Sequence, residues 1–181
     1  MVINTNPLMT AEDFFEFSAQ TDERYELIEG QLFEMPSPIT AHQFLITYVL
    51  VYLASLQRGK VLAAPLDVTF NARNVFQPDI IWISPQRFDR IVYRGIQGAP
   101  DLVVEILSPS TAKNDQERKF KVYEAEGVRE YWIIDPIDLS IEVWVNENGK
   151  FVKLGVFTDQ DMFYSPTLET NVPVSEFLKV D

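Results

Sequence analysis

The hydrophobic pattern of this chain changes period several times, and each change marks an element. In "PDLVVEILSPST", Pro100 to Thr111, the residues Leu102, Val103, Val104, Ile106 and Leu107 predict a strand buried on both faces. Upstream, Thr10 is placed to cap a helix with Asp13 in its first turn and Phe14, Phe15 and Phe17 on its apolar side. "RYELIEGQLFEM" reads as two short strands turning at Glu29-Gly30. Ser37 and Pro38 open a long helix to about Gln57, apolar nearly all round and therefore expected to be buried. Strands are expected at about 61–64, 66–70 and 79–83. A helix over 112–126 stops at Gly127, and "REYWIID" is a further strand. "SIEVWVNENGKFVKLGVF" is a hairpin turning at Asn148-Gly149, followed by one extended piece and a short helix near 173–179. Strand, helix and strand over 101–134 predict one parallel crossover, and the hairpins make the sheet mixed: an α/β fold with helices packed on the sheet.

Composition narrows this picture. The chain has 181 residues, 46% of them hydrophobic, with no linker-like tract, which fits one domain over 1–181. There is no cysteine, which excludes disulfides and thiolate chemistry and suits a reducing cytoplasm. No signal peptide is legible, and the longest apolar stretch, "FLITYVLVYLA", is too short to span a bilayer, so no membrane role is expected. The net charge of −12 speaks against a general nucleic-acid binder. The charge is unevenly spread: residues 85–129 hold eight basic against seven acidic residues, which leaves room for a local basic surface.

Glu105 is the anomaly of the central strand. A buried carboxylate requires a partner, a metal or a proton. Asp101 shares its face but lies four strand steps, about 13 Å, away. A partner must come from a neighbouring strand, and Asp79 in "QPDIIWIS" shares a face with Ile81 and Ile83, although an Asp after Pro at a strand start reads first as a turn residue. Two carboxylates on adjacent strands repel unless a cation or proton lies between them. With no cysteine and one histidine, the ligands at hand are oxygens, which favours Mg²⁺ or Mn²⁺ over zinc. Glu26, in a strand of "YELIEG", is a further candidate ligand. On the helix after Glu105, Lys119 shares an arc with Phe120 and Tyr123 and lies four residues from Asp115, so it either faces the carboxylates or pairs with Asp115 at the surface. His42, the only histidine, lies in the long apolar helix and reads first as a hydrogen-bonded packing residue.

These motifs, in this order, resemble the Uma-two family of restriction-endonuclease-like proteins, within the PD-(D/E)XK nuclease superfamily. The matching pieces are "YELIEG", His42, "QPD", "PDLVVEILSPST", Asp115 with Lys119 and Tyr123, and "GVREYWIIDP", from about residue 24 to 136. The resemblance implies a restriction-endonuclease-like mixed β-sheet flanked by α-helices, here with an added C-terminal β-hairpin. It implies a metal-dependent phosphodiesterase site in which Asp79 and Glu105 match the superfamily acids and Glu26 the family's upstream glutamate. The superfamily lysine two residues after the second acid is replaced here by Leu107, and the resemblance moves that role to Lys119.

The leading expectation is a Mg²⁺- or Mn²⁺-dependent DNA endonuclease. Asp79, Glu105 and Glu26 would hold metal and Lys119 would orient or deprotonate water. His42, Asp115 and Tyr123 would be accessory, and Arg87, Arg90 and Arg94 would contact DNA phosphates. The competing expectation is a catalytically inactive nuclease-fold protein acting as a dimeric binding or regulatory module. A homodimer is expected on either reading, because the edge of the 140–157 hairpin needs covering. A metal-free glycosidase using the carboxylates is a third reading.

Overall fold

The apolar run around Glu105 becomes the centre of a six-stranded sheet. The computed structural model describes residues 2–3, 7–108 and 114–178, with backbone alone for 2–3 and 114–116. Strand Leu102–Ile106, buried at all five positions, pairs in parallel with Glu130–Asp135 and antiparallel with Ile80–Ile83. Lys60–Ala63 extends the sheet on one side. The hairpin of Ser140–Glu147 and Lys150–Thr158 extends it on the other. The parallel crossover predicted over 101–134 is therefore present, in a mixed sheet with helices on it.

Period-2 alternation splits this sheet into two apolar faces. Ile80, Trp82, Val104, Ile106 and Trp132 form one core cluster with Leu45, Val49 and Leu53 of the long helix, Thr40–Ser55. Ile81, Val103, Tyr131 and Ile133 form the other, with Ile28, Val68 and Phe76 of a second sheet and Tyr123 of the helix Phe120–Glu126. Glu105 lies on the second face, between two sheets and a helix.

The structure departs from the expected elements in four places, the first being the tail, where the one extended piece is a hairpin of Met162–Ser165 and Thr170–Pro173 and the short helix is a 3₁₀ turn, Val174–Glu176. The long helix is not buried all round: Leu45, Val49 and Leu53 face the core, while Phe44 and Val51 are 53% and 59% exposed. An apolar sequence shows which residues can be buried, not how many neighbours arrive to bury them. A second sheet, of seven strands, goes beyond the single mixed sheet expected. It includes Asn74–Phe76, Ile91–Val92 and Gly95–Gln97, pieces too short and too interrupted by turn residues to show a period. The helix expected from 112 is described from Asn114, as a π-helical stretch to Lys119 that continues as α-helix from Phe120. The two expected hairpin turns do form, with positive φ at Glu29 and Gly30 and at Asn148 and Gly149, as a tight two-residue turn requires. No helix among the described residues is long and apolar enough to cross a membrane.

One buried carboxylate lies away from Glu105. Glu130 is 0% exposed and has no cation partner among the described residues; it accepts hydrogen bonds from Trp132 Nε1 (2.7 Å), Ser165 Oγ (2.8 Å) and the Thr167 amide (3.1 Å). Burial raises its pKa above the ordinary 4.5, and the three donors only partly oppose this. The native state then holds a proton that the unfolded chain has released, so the Glu130 contribution to stability falls as pH rises from 4.5 through the raised value. Urea unfolding of wild type and Glu130→Gln across that range should show the wild-type-minus-mutant stability difference shrinking as pH rises. A difference independent of pH would show that the carboxyl is not raised.

Candidate active site

Asp79 directly precedes the Ile80–Ile83 strand, and the register continues from Ile80↔Val104 towards Glu105. The Asp79 amide stands 3.4 Å from Glu105 Oε2. Asp79 Oδ2 accepts from the Ile106 amide at 2.7 Å, just beyond the last pair between these two strands, Ile80↔Val104. His42 Nε2 lies 3.1 Å from the same Oδ2. The sole histidine is thus tied to the candidate metal ligand, which its place on an apolar helix does not reveal.

Lys119 settles which of its two expected positions it takes. Its side chain is 3% exposed, with Nζ 2.9 Å from Glu26 Oε1 and 3.2 Å from Glu105 Oε1. The ammonium also lies over the Phe76 ring, 5.8 Å from its centroid. Tyr123 donates to Glu105 Oε1 at 2.6 Å. Burial first, then the neighbouring Glu105 charge, push the Tyr123 phenol well above its ordinary pKa, so it keeps the proton it donates. The side chain of Asp115 lies outside the described residues. The helix therefore delivers Lys119 and Tyr123 together onto one carboxylate oxygen, while Leu107 lines the cavity.

The two carboxylates are thereby differentiated. Glu105 Oε1 is committed to Lys119 and Tyr123, while Oε2 lies towards Asp79. Asp79 Oδ1 takes no hydrogen bond from the described residues, whereas Oδ2 is held by Ile106 and His42. This is an all-oxygen pair with outer-shell supports, suited to a hard divalent cation that keeps waters and binds through one or two carboxylates. Among the described residues no group of three Asp, Glu or His side chains stands ready to hold one ion, and Glu26 is linked to Glu105 through Lys119. Glu26 Oε1 accepts from the Gln77 amide at 2.8 Å and from Lys119, and its side chain is buried behind them.

Asp79, Glu105 and Lys119 open onto a cavity of about 490 Å³ that His42, Leu107 and Arg24 also line. The arginines expected at phosphates are elsewhere. Arg87 pairs with the fully buried Asp101 at 3.3 Å and donates to the carbonyls of Ala99 and Pro100. Arg90 donates to the Ala99 carbonyl. Both hold loops at the Asp101 end of the strand, away from Glu105, and Arg94 does not line the cavity. A charge count over 85–129 finds these cations but not their partners. It also misses Arg24, which precedes Glu26 by two positions and which alternation places on the same side of the chain.

Comparison with known proteins bears on family and fold. A family model described as "Putative restriction endonuclease", Uma2, matches residues 11–175. The chain belongs to the Uma2 family. A crystal structure titled as a putative nuclease belonging to DUF820, from Anabaena variabilis, superposes with a TM-score of 0.75 over 94% of this chain and 97% of that one. At 21% identity that likeness speaks for a shared nuclease-like fold. Two uncharacterised Synechocystis proteins are also similar. One, sll1609, is 26% identical over 149 residues, covering 78% of this chain and 83% of that protein. The other, slr1290, is 25% identical over 154 residues, covering 82% and 80%. Within this Uma2 chain, the matched span includes every residue around the cavity named above.

Proposed function

We propose that this Uma2 protein is a metal-dependent DNA endonuclease with its reaction centre at Asp79, Glu105 and Lys119. The observation that carries the proposal is the buried Lys119 ammonium, 3.2 Å from Glu105 beside Asp79, in a chain that lacks a lysine at 107. Asp79 and Glu105 would hold Mg²⁺ or Mn²⁺ between them. When bound, the ion supplies Lewis-acid polarisation of the phosphodiester and a lowered pKa for the attacking water. Lys119 would orient that water and stabilise the charge that develops on the phosphoryl oxygens. Glu26 and Tyr123 would act through others: Glu26 anchors the ammonium and Tyr123 fixes the Glu105 carboxylate. Supercoiled plasmid incubated with the protein and Mg²⁺ or Mn²⁺ should be nicked, and EDTA should stop it. A wild-type protein that nicks with neither ion would sink the proposal. The second reading, an inactive dimeric binding module, is favoured by the net charge of −12 and would then take its place.

His42 would set the orientation of Asp79. His42→Leu should weaken divalent-ion binding about 10–100-fold, the usual effect of losing an outer-shell partner. A thermal-shift titration with Mg²⁺ reads this without requiring turnover. An unchanged midpoint would show that Ile106 alone holds Asp79.

A further inference from the structure

We infer that the cavity beside Asp79 and Glu105 takes a single unstacked nucleotide, with Arg24 on its phosphate and an apolar wall against its base. The inference rests on the nuclease reading above and adds the physical form of the substrate. Among the described residues, Arg24 and Lys119 are the cations that line the cavity. Lys119 is already held by Glu26 and Glu105. Arg24 lines the cavity but forms no ion pair with the described residues; its Nη2 has only the Met35 sulfur at 3.8 Å, and its buried Nε has no hydrogen-bond partner. A guanidinium with unmet donors, lining the same cavity as Asp79 and Glu105, suits a doubly accepting anion, and phosphate is one.

Apart from Asp135 and the polar Ser37, Gln43 and Ser108, the rest of the described wall is apolar and ill suited to duplex DNA. Pro36, Pro38, Ile39, Ile46, Pro136 and Ile137 line it, and Ile39 and Ile137 stay 63% and 78% exposed. A duplex presents phosphates outside and buries its bases, so it would set charge against these groups and leave their apolar area uncovered. An unstacked nucleotide presents both chemistries: a phosphate for Arg24 and a base face for the isoleucines and prolines. The cavity, about 490 Å³, falls in the range of sites that enclose small ligands. An overall charge of −12 also disfavours a long duplex track, while one local contact survives it.

The test uses the full chain with Ca²⁺ to read binding and Mg²⁺ to read cutting. The probes are a fluorescent single strand, the matching duplex, and a duplex carrying one bulged nucleotide. The single strand and the bulge should bind at least about tenfold tighter than the duplex by anisotropy. Arg24→Gln should weaken single-strand binding by about tenfold, and Ile137→Asp should weaken it while Ile137→Leu retains it. Duplex binding equal to or tighter than single-strand binding overturns the inference. So does an Arg24→Gln protein that folds normally by circular dichroism and binds as wild type. If no probe is cut but the binding order holds, the nuclease reading fails and the nucleotide site stands. If cutting occurs with the duplex preferred, the reverse follows.

Discussion

Lys119→Met should abolish nicking, by about a hundred- to ten-thousandfold, and should also destabilise the fold. The two losses have different origins. Lys119 is the cation facing both Glu26 and Glu105, at 2.9 and 3.2 Å, and all three side chains are buried. Removing one partner of a buried ion pair leaves the others as uncompensated charges, a cost of about 3–5 kcal/mol. A second substitution separates fold from chemistry. Glu26→Gln in the Lys119→Met background removes one orphaned charge while its amide oxygen can still accept from Gln77. The double variant should recover much of the urea midpoint and none of the nicking. Recovery of nicking would show that Lys119 serves only the fold. An unchanged midpoint in Lys119→Met would show that the ammonium does not hold the two carboxylates.

The reasons this lysine is legible in the sequence, and other residues are not, are physical. Strand alternation fixes which face a residue takes, so spacing excludes Asp101 as the partner of Glu105 and leaves Asp79 as a candidate, which the family resemblance singles out. Helical spacing fixes an arc, so it puts Lys119 and Tyr123 together. Each inference uses a repeat distance that the local backbone imposes. His42 and Arg24 escape because their roles depend on what stands opposite them. The long helix must cross the sheet at one place for His42 to meet Asp79, and no periodicity records that crossing. Arg87 and Arg90 fail for the same reason in reverse: their charge is visible in the sequence, while the carbonyls of Ala99 and Pro100 that bind them are not. The second sheet is hidden because strands of two to four residues, such as Ile91–Val92, are shorter than the window in which alternation can be recognised.

Glu105→Gln should eliminate nicking as fully as Glu105→Ala, although it is nearly the same shape. The reason is which way a carboxamide must turn. Oε1 of Glu105 faces two donors, the Lys119 ammonium and the Tyr123 hydroxyl, whose raised pKa keeps its proton in place. A glutamine has one acceptor oxygen and must give it to them. Its NH₂ then points where Oε2 was, towards the Asp79 amide 3.4 Å away and towards the place a cation would occupy. A donor there repels both. The substitution therefore removes a charge and reverses a dipole at the ion site, while leaving the Lys119–Glu26 contact intact. Loss of an oxygen ligand should appear without any turnover: the wild-type melting temperature should rise with Mg²⁺ by mass action, and that of Glu105→Gln should not. Asp79→Asn should behave alike, because the Ile106 amide and His42 both claim Oδ2 and turn the new NH₂ outward. The opposite result, a Glu105→Gln protein that still gains stability from Mg²⁺ and still nicks, would remove Glu105 from the ion site. The lysine-paired, hydrogen-bonded carboxylate in the core strand would then be structural, and the ion and the chemistry would have to be sought among other groups of the chain.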